Sequence, residues 1–197
     1  MPQSHYDNIA KHYEAVMRPL ESWFLGRLRE RALNNIPEQS LTLEVGAGTG
    51  LNFNYYSPAA RGVASELSVE MLRIAAEKSR PEKISLVQND AEQLPFRDGA
   101  FDAVFSTLVL CSVSSPEVAL TEMRRVVRAG GLVVLLEHVR PNNPLGVVFD
   151  ALNRITVPLF CDHINRRTGD LARAAGFKSV DENRSNLGIF NLIKCSN

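Results

Sequence analysis

The chain has 197 residues, 45% hydrophobic and 22% charged, the balance of one soluble globular domain with a sizeable core. Lys+Arg and Asp+Glu each number 22, so no net field draws the molecule to nucleic acid, and no nucleic-acid partner is expected. No run approaches the ~20 apolar residues of a spanning helix, and Met1-Pro2-Gln3-Ser4-His5 lacks a signal-peptide pattern, so the cytoplasm is the expected location. Cys111, Cys161 and Cys195 lie too far apart for a disulfide framework or a zinc knuckle and read as buried thiols.

The first segment reads as two helices. Tyr6, Ile9, Ala10, Tyr13 and Val16-Met17 recur at helical spacing, Pro19 interrupts, and Leu20 to Leu33 resume the pattern before Pro37. Short apolar runs then alternate with helical stretches. Strands are expected at Leu41–Val45, Arg61–Ser65, Ile84–Gln88, Phe101–Thr107 and Leu132–Glu137, with helices at Val69–Lys78 and Pro116–Val127. Past Pro141 the alternation is lost. Leu145–Phe160 reads as an apolar, loosely helical insertion and Thr168–Ala175 as a short helix, followed by an edge pair of strands at Phe177–Glu182 and Gly188–Lys194. The fold class is therefore α/β. A Rossmann-like, mostly parallel seven-stranded sheet carries helices on both faces and an antiparallel strand at its C-terminal edge, all in one domain over residues 1–197.

Ligands bind such sheets at the carboxyl ends of the strands. The first strand ends in Gly46-Ala47-Gly48-Thr49-Gly50, where glycines permit a sharp turn and close approach of a ligand to the backbone. A dinucleotide site wants G-x-G-x-x-G, but position 51 is Leu and the third glycine is Gly50. That spacing weakens the case for a nicotinamide oxidoreductase and favours a nucleoside–amino-acid ligand. Glu66, at the end of the second strand, is placed to accept from both ribose hydroxyls. Asp90, after the third strand, is placed to accept from an adenine amine, with the Ala91 amide facing a ring nitrogen.

Together the run Glu44 to Gly50, Glu66 with Leu67-Ser68 and Met71-Leu72, Asp90 to Phe96 and Phe101-Asp102-Ala103-Val104 resembles the class I S-adenosylmethionine-dependent methyltransferases of the small-molecule type 11 group, over about residues 40 to 140. The resemblance implies S-adenosyl-L-methionine as cofactor and S-adenosyl-L-homocysteine as product. It places Gly46, Ala47, Gly48 and Gly50 against the methionyl part, Glu44 near its ammonium, Leu67 and Met71 on the adenine face, and Thr107 and Leu108 near the sulfonium. Tyr6 to Tyr13 resembles the N-terminal helix that these enzymes fold over the cofactor, so residues 1–36 are expected to form a helical cap, with Tyr6 and Tyr13 against the ligand. The sequence departs from the family at Glu66, where aspartate is commoner, and at Cys111-Ser112, where many relatives carry a histidine pair.

Residues 141–170 read as a substrate-side insertion. His138, at the end of the fifth strand, and His163, within Cys161-Asp162-His163-Ile164-Asn165-Arg166, are the candidate catalytic groups, and no metal is expected. These stretches resemble a subgroup containing bacterial phosphatidylethanolamine N-methyltransferases and membrane-associated thiol methyltransferases. They imply an amphipathic or lipid acceptor, first a phospholipid amine, and peripheral membrane contact. Thiol S-methylation, quinone C-methylation and a non-catalytic cofactor-binding regulator stand as alternatives.

Overall fold

The computed structural model describes residues 3–160, 162–185 and 188–197. Seven strands form one sheet: β1 (Leu41–Val45), β2 (Arg61–Glu66), β3 (Ile84–Gln88), β4 (Phe101–Thr107), β5 (Val127–His138), β6 (Ser179–Ser185) and β7 (Phe190–Ser196). Their order is β3-β2-β1-β4-β5-β7-β6. The first five run parallel, and β7 enters antiparallel between β5 and β6. The expected antiparallel pair at the edge is present, with the antiparallel strand one place in from the rim.

Two-residue periodicity divides the core. Val133 and Leu135 of β5 face one side, where they pack with Leu120 and Met123 of α4 (Pro116–Val126) and Ala172 of α6 (Thr168–Ala174). Val134 and Leu136 face the other side and meet Leu28 and Ala32 of α2 (Gly26–Leu33). A strand covered on both faces has no polar positions to spare, hence the nearly unbroken apolar run in β5.

Several boundaries differ from the sequence expectation. The N-terminal break falls after Pro19: α1 (Gln3–Leu20) continues through the proline, and a π-helical turn at Glu21–Leu25 leads into α2. Proline removes one i−4 hydrogen bond, and the wider turn that follows accommodates the misfit. Strand β5 starts at Val127, because Gly130-Gly131 lies within a bulge where the register against β4 shifts between Phe101 and Ala103. The last two strands begin two residues late. Phe177, after the turn at Gly176, is spent in the core before β6 starts, and inward-facing Ile193 and Cys195 carry β7 on to Ser196.

Helix α3 (Val69–Ala76) crosses from β2 to β3, while α5 (Leu145–Phe160) forms the insertion after β5. The strand order reverses beside β1, between β2 and β4, and opens a crevice at their carboxyl ends.

Candidate active site

The crevice is a cleft of about 820 Å³ walled by the ends of β1, β2, β3 and β4 and covered by α1. Gly46 opens the β1 wall with φ +74°, and its amide and that of Ala47 donate to Ser65 O at 2.8 Å each. A Cβ at Gly46 would lie 2.2 Å from Val109 Cγ2, so glycine is required where the β1 and β4 loops close on one another. Glu66 organises the turn from beneath. Its Oε2 accepts from the Gly48 amide and its Oε1 from the Ser68 amide, both at 2.8 Å. Burial raises its pKa against the pull of these amides. Each carboxylate oxygen keeps a lone pair, so the geometry leaves capacity for two ligand hydroxyls. Met71 and Leu67 add an apolar wall, and the Met71 amide is capped by Ser68 Oγ at 3.2 Å, which starts α3 beside the cleft.

At the end of β3, Asp90 and Ala91 line the cleft as expected. Asp90 is exposed, and its Oδ1 accepts from the Glu92 amide at 2.9 Å, a tight turn that presents this loop to the ligand. Sequence reasoning passed over Asn89, whose amide oxygen and nitrogen are buried in the cleft wall without a partner among the described residues. Buried amides without partners are rare, and their presence here fits a nucleoside that supplies donors and acceptors. Thr107 and Leu108 also line the cleft, Leu108 with φ +58°. A leucine in this conformation is strained, as residues at functional sites often are. The turn it makes sends the Val109 and Leu110 amides to Glu137 Oε1, at 3.1 and 3.0 Å.

Helix α1 roofs the cleft with Tyr6 and Tyr13. Burial pushes the Tyr13 phenol up to about 12 and the Tyr6 phenol still higher, so both stay protonated as donors. The roof is pinned to α3: Asp7 meets Ser68 Oγ and the Glu70 amide, and Glu14 pairs with Lys78.

Two expected ligand contacts need correction. Glu44 lies behind the wall, its carboxylate taken by Asn52 Nδ2 and the Tyr56 hydroxyl, because the 3₁₀ turn Leu51–Tyr55 folds under β1 and brings both donors to it. Burial raises its pKa against these two bonds. Gly50 also stays off the cleft; its φ of +81° and the Phe53 ring, 2.5 Å from where a Cβ would stand, give it a folding role. In their place stands Arg29, the one cation among the described residues lining the cleft. Its Nη1 donates to Asn52 Oδ1 at 3.0 Å and Thr107 Oγ1 at 2.6 Å, and Nη2 pairs with Glu21 at 2.7 Å. No local motif marks Arg29; only packing of α2 against β5 and the Leu51–Tyr55 turn brings it in.

The candidate catalytic histidines do not line this cleft. His138 Nε2 stands 3.3 Å from Asp162 Oδ2. Burial opposes its charging, but the carboxylate outweighs burial and holds the imidazole above its usual pKa. His163, half-buried, donates its amide to Cys111 O at 2.9 Å. Burial, with Arg166 nearby, keeps its ring below the usual value. Between the strands, fully buried Glu137 is pushed up to about 7 by burial, and its Oε2 has no partner among the described residues.

The family described as "Methyltransferase domain" (Methyltransf_11) matches residues 43–135. Over 166 residues the chain is 30% identical to a ubiquinone/menaquinone biosynthesis C-methyltransferase of Hahella chejuensis, covering 78% of this chain and 66% of that protein. Over 117 residues it is 40% identical to a phosphatidylethanolamine N-methyltransferase of Cereibacter sphaeroides, covering 57% and 58%. The chain thus spans less than two thirds of the length of these curated relatives. A solved S-adenosylmethionine-dependent methyltransferase of Thermotoga maritima, described as a possible histamine N-methyltransferase, shares the fold with TM-score 0.75 and 22% identity over 98% of both chains.

Proposed function

From the premise that the chain belongs to the class I S-adenosylmethionine-dependent methyltransferases of the type 11 group, we propose that it transfers a methyl group to an amphipathic acceptor, specifically a phospholipid amine. When bound, the cofactor supplies an electrophilic methyl on a sulfonium. The chain's own part is to bind, orient and exclude water. Glu66 accepts the ribose hydroxyls while holding the glycine turn, and Asn89, Asp90 and the Ala91 amide take the adenine edge. Arg29 faces the α-carboxylate, and Tyr6 and Tyr13 close the roof. Leu108 and Val109 line the cleft where they would bound the methyl-bearing end of the cofactor.

The observation that carries the acceptor reading is helix α5. Its exposed face consists of Val147 (69% exposed), Val148 (51%), Ala151, Leu152, Ile155 (55%) and Pro158, with Arg154 at the rim. At the edge of this face Asp150, its side chain partly exposed, is held by Arg140 and Asn165. A helix of a soluble protein ordinarily turns polar residues outward, and an apolar face of this kind marks an interaction surface. Trp23, 89% exposed, and Val16 and Leu20 form a second such stripe at the N-terminal cap. Among the described residues no helix is long and apolar enough to cross a membrane, so contact of these faces with a bilayer is peripheral. We assign His138 and His163, neither of which lines the cleft, to the acceptor side, where their substitution is expected to change turnover more than cofactor affinity.

Labelled S-adenosylmethionine and vesicles containing phosphatidylethanolamine test the reading. Label is expected in the lipid amine. The competing reading, a quinone ring carbon, draws on the quinone-biosynthesis relatives. Transfer confined to demethylated quinones or soluble thiols would replace the lipid-amine assignment.

A further inference from the structure

The chain carries three chemically different metal-ligand groups at one point, outside the donor cleft. Cys111 Sγ, a ring nitrogen of His138 and a carboxylate oxygen of Asp162 all lie within 4.8 Å of one another, with Cys111 buried and the other two half-buried. They arrive from distant stretches: Cys111 from the loop after β4, His138 from the last residue of β5, Asp162 from the segment after α5. Asp162 holds the group together, pairing with His138 at 3.3 Å and accepting a hydrogen bond from the Cys111 thiol, so all three donor atoms face one point.

We propose that Cys111, His138 and Asp162 form a three-ligand site for a thiophilic divalent cation of the zinc class. A thiolate and a carboxylate together neutralise a divalent charge, and a sulfur, imidazole nitrogen and carboxylate oxygen are the donor set that zinc takes at about 2.0–2.3 Å. Glu137, fully buried and within electrostatic reach of Cys111, stands beside the site with an Oε2 that has no partner among the described residues. Three protein ligands leave a fourth position open. Ser112, the neighbour of Cys111, lines the donor cleft, and Tyr6 of the roof lies within electrostatic reach of both Cys111 and Asp162. The site therefore adjoins the acceptor end of the cleft, and a cation there cross-links the α5 insertion to β4 and β5. The inference uses only this chain's side chains and stands whichever acceptor is methylated.

The test loads the reduced, full-length protein with Co²⁺ or Zn²⁺, removes unbound metal by gel filtration and measures metal content and the absorption spectrum. About one metal per chain is expected, with a thiolate-to-cobalt charge-transfer band in the near ultraviolet and intense visible bands of a four-coordinate centre. Cys111→Ser should abolish the charge-transfer band, and Asp162→Asn, which keeps the side-chain shape, should lower metal retention if Cys111→Ser fails to fold. Absence of retained metal in the wild-type protein overturns the site. So does a charge-transfer band that survives in folded Cys111→Ser, or undiminished retention in Asp162→Asn. The readout is spectroscopic and independent of methyl transfer, so its failure leaves the proposed activity untouched.

Discussion

The two ends of the crevice are built in contrasting ways. At the donor end, Gly46–Gly48, Glu66 and Asn89–Ala91 come from the ends of three neighbouring strands, β1, β2 and β3, and each lies within a few residues of its strand terminus. The proposed acceptor side draws on Ser112 after β4, His138 at the end of β5 and Asp162 beyond α5, which are far apart in the chain, and the last two lie outside the cleft lining. Strand ends in a parallel sheet are placed by backbone hydrogen bonding and occupy fixed positions. Groups delivered by a cap and an insertion are placed by side-chain packing and a few isolated hydrogen bonds between remote segments. On the proposed assignment, donor binding is therefore tied to the fold, and acceptor binding to the segments appended to it.

Four expectations break or sharpen that contrast. The largest effect belongs where the two ends join. Arg29→Met leaves Glu21 without its charged partner and strips Asn52 and Thr107 of a donor, and should destabilise the fold by about 3 kcal/mol, read by denaturant unfolding. A loss comparable to that of a surface change would mean that the arginine is not structural. Next, Glu66→Ala should weaken S-adenosylhomocysteine by roughly 10–100-fold, two charge-assisted bonds being partly replaced by water, as measured by titration calorimetry. An unchanged dissociation constant would remove Glu66 from the cofactor site.

A smaller, pH-dependent effect follows from the same carboxylate. Burial raises the Glu66 pKa above the ordinary glutamate value, and a protonated carboxyl offers a hydroxyl donor where the ribose needs an acceptor. Cofactor affinity should therefore fall as the pH drops through this raised range, and the profile should flatten in Glu66→Ala. The smallest effect on the fold is expected from Val148→Glu with Ile155→Glu, two exposed positions on α5 where stability should change by only about 0.5 kcal/mol each. Cofactor affinity should hold while vesicle co-sedimentation is lost. Vesicle binding that survives both charges would place the bilayer contact elsewhere, with the Trp23 stripe as the next surface to test.

Much of the donor end was legible in residue order. The turn at Gly46–Gly48, Glu66, Leu67, Met71, Asp90, Ala91, Thr107, Leu108 and the two roofing tyrosines all line the cleft. The differences at this end have two causes. Glu44 sits next to the glycines in sequence, but a strand alternates its faces, and the turn beneath β1 captures the carboxylate from behind. Arg29 and Asn89 escaped notice because an arginine on an amphipathic helix and an asparagine before a turn look like surface residues until packing buries them. At the acceptor end the histidines drew attention as single residues, and the Asp162 partner of His138 did not.

Sequence by itself determined the α/β alternation, the positions of β1 to β4 and the residues at their ends, because hydrophobic period and glycine conformation are local properties of the chain. The insertion of β7 inside β6, the buried Arg29 network and the meeting of Cys111, His138 and Asp162 were decided only by the tertiary structure. Each depends on side chains from remote segments converging after the sheet has closed, and no local pattern encodes that convergence.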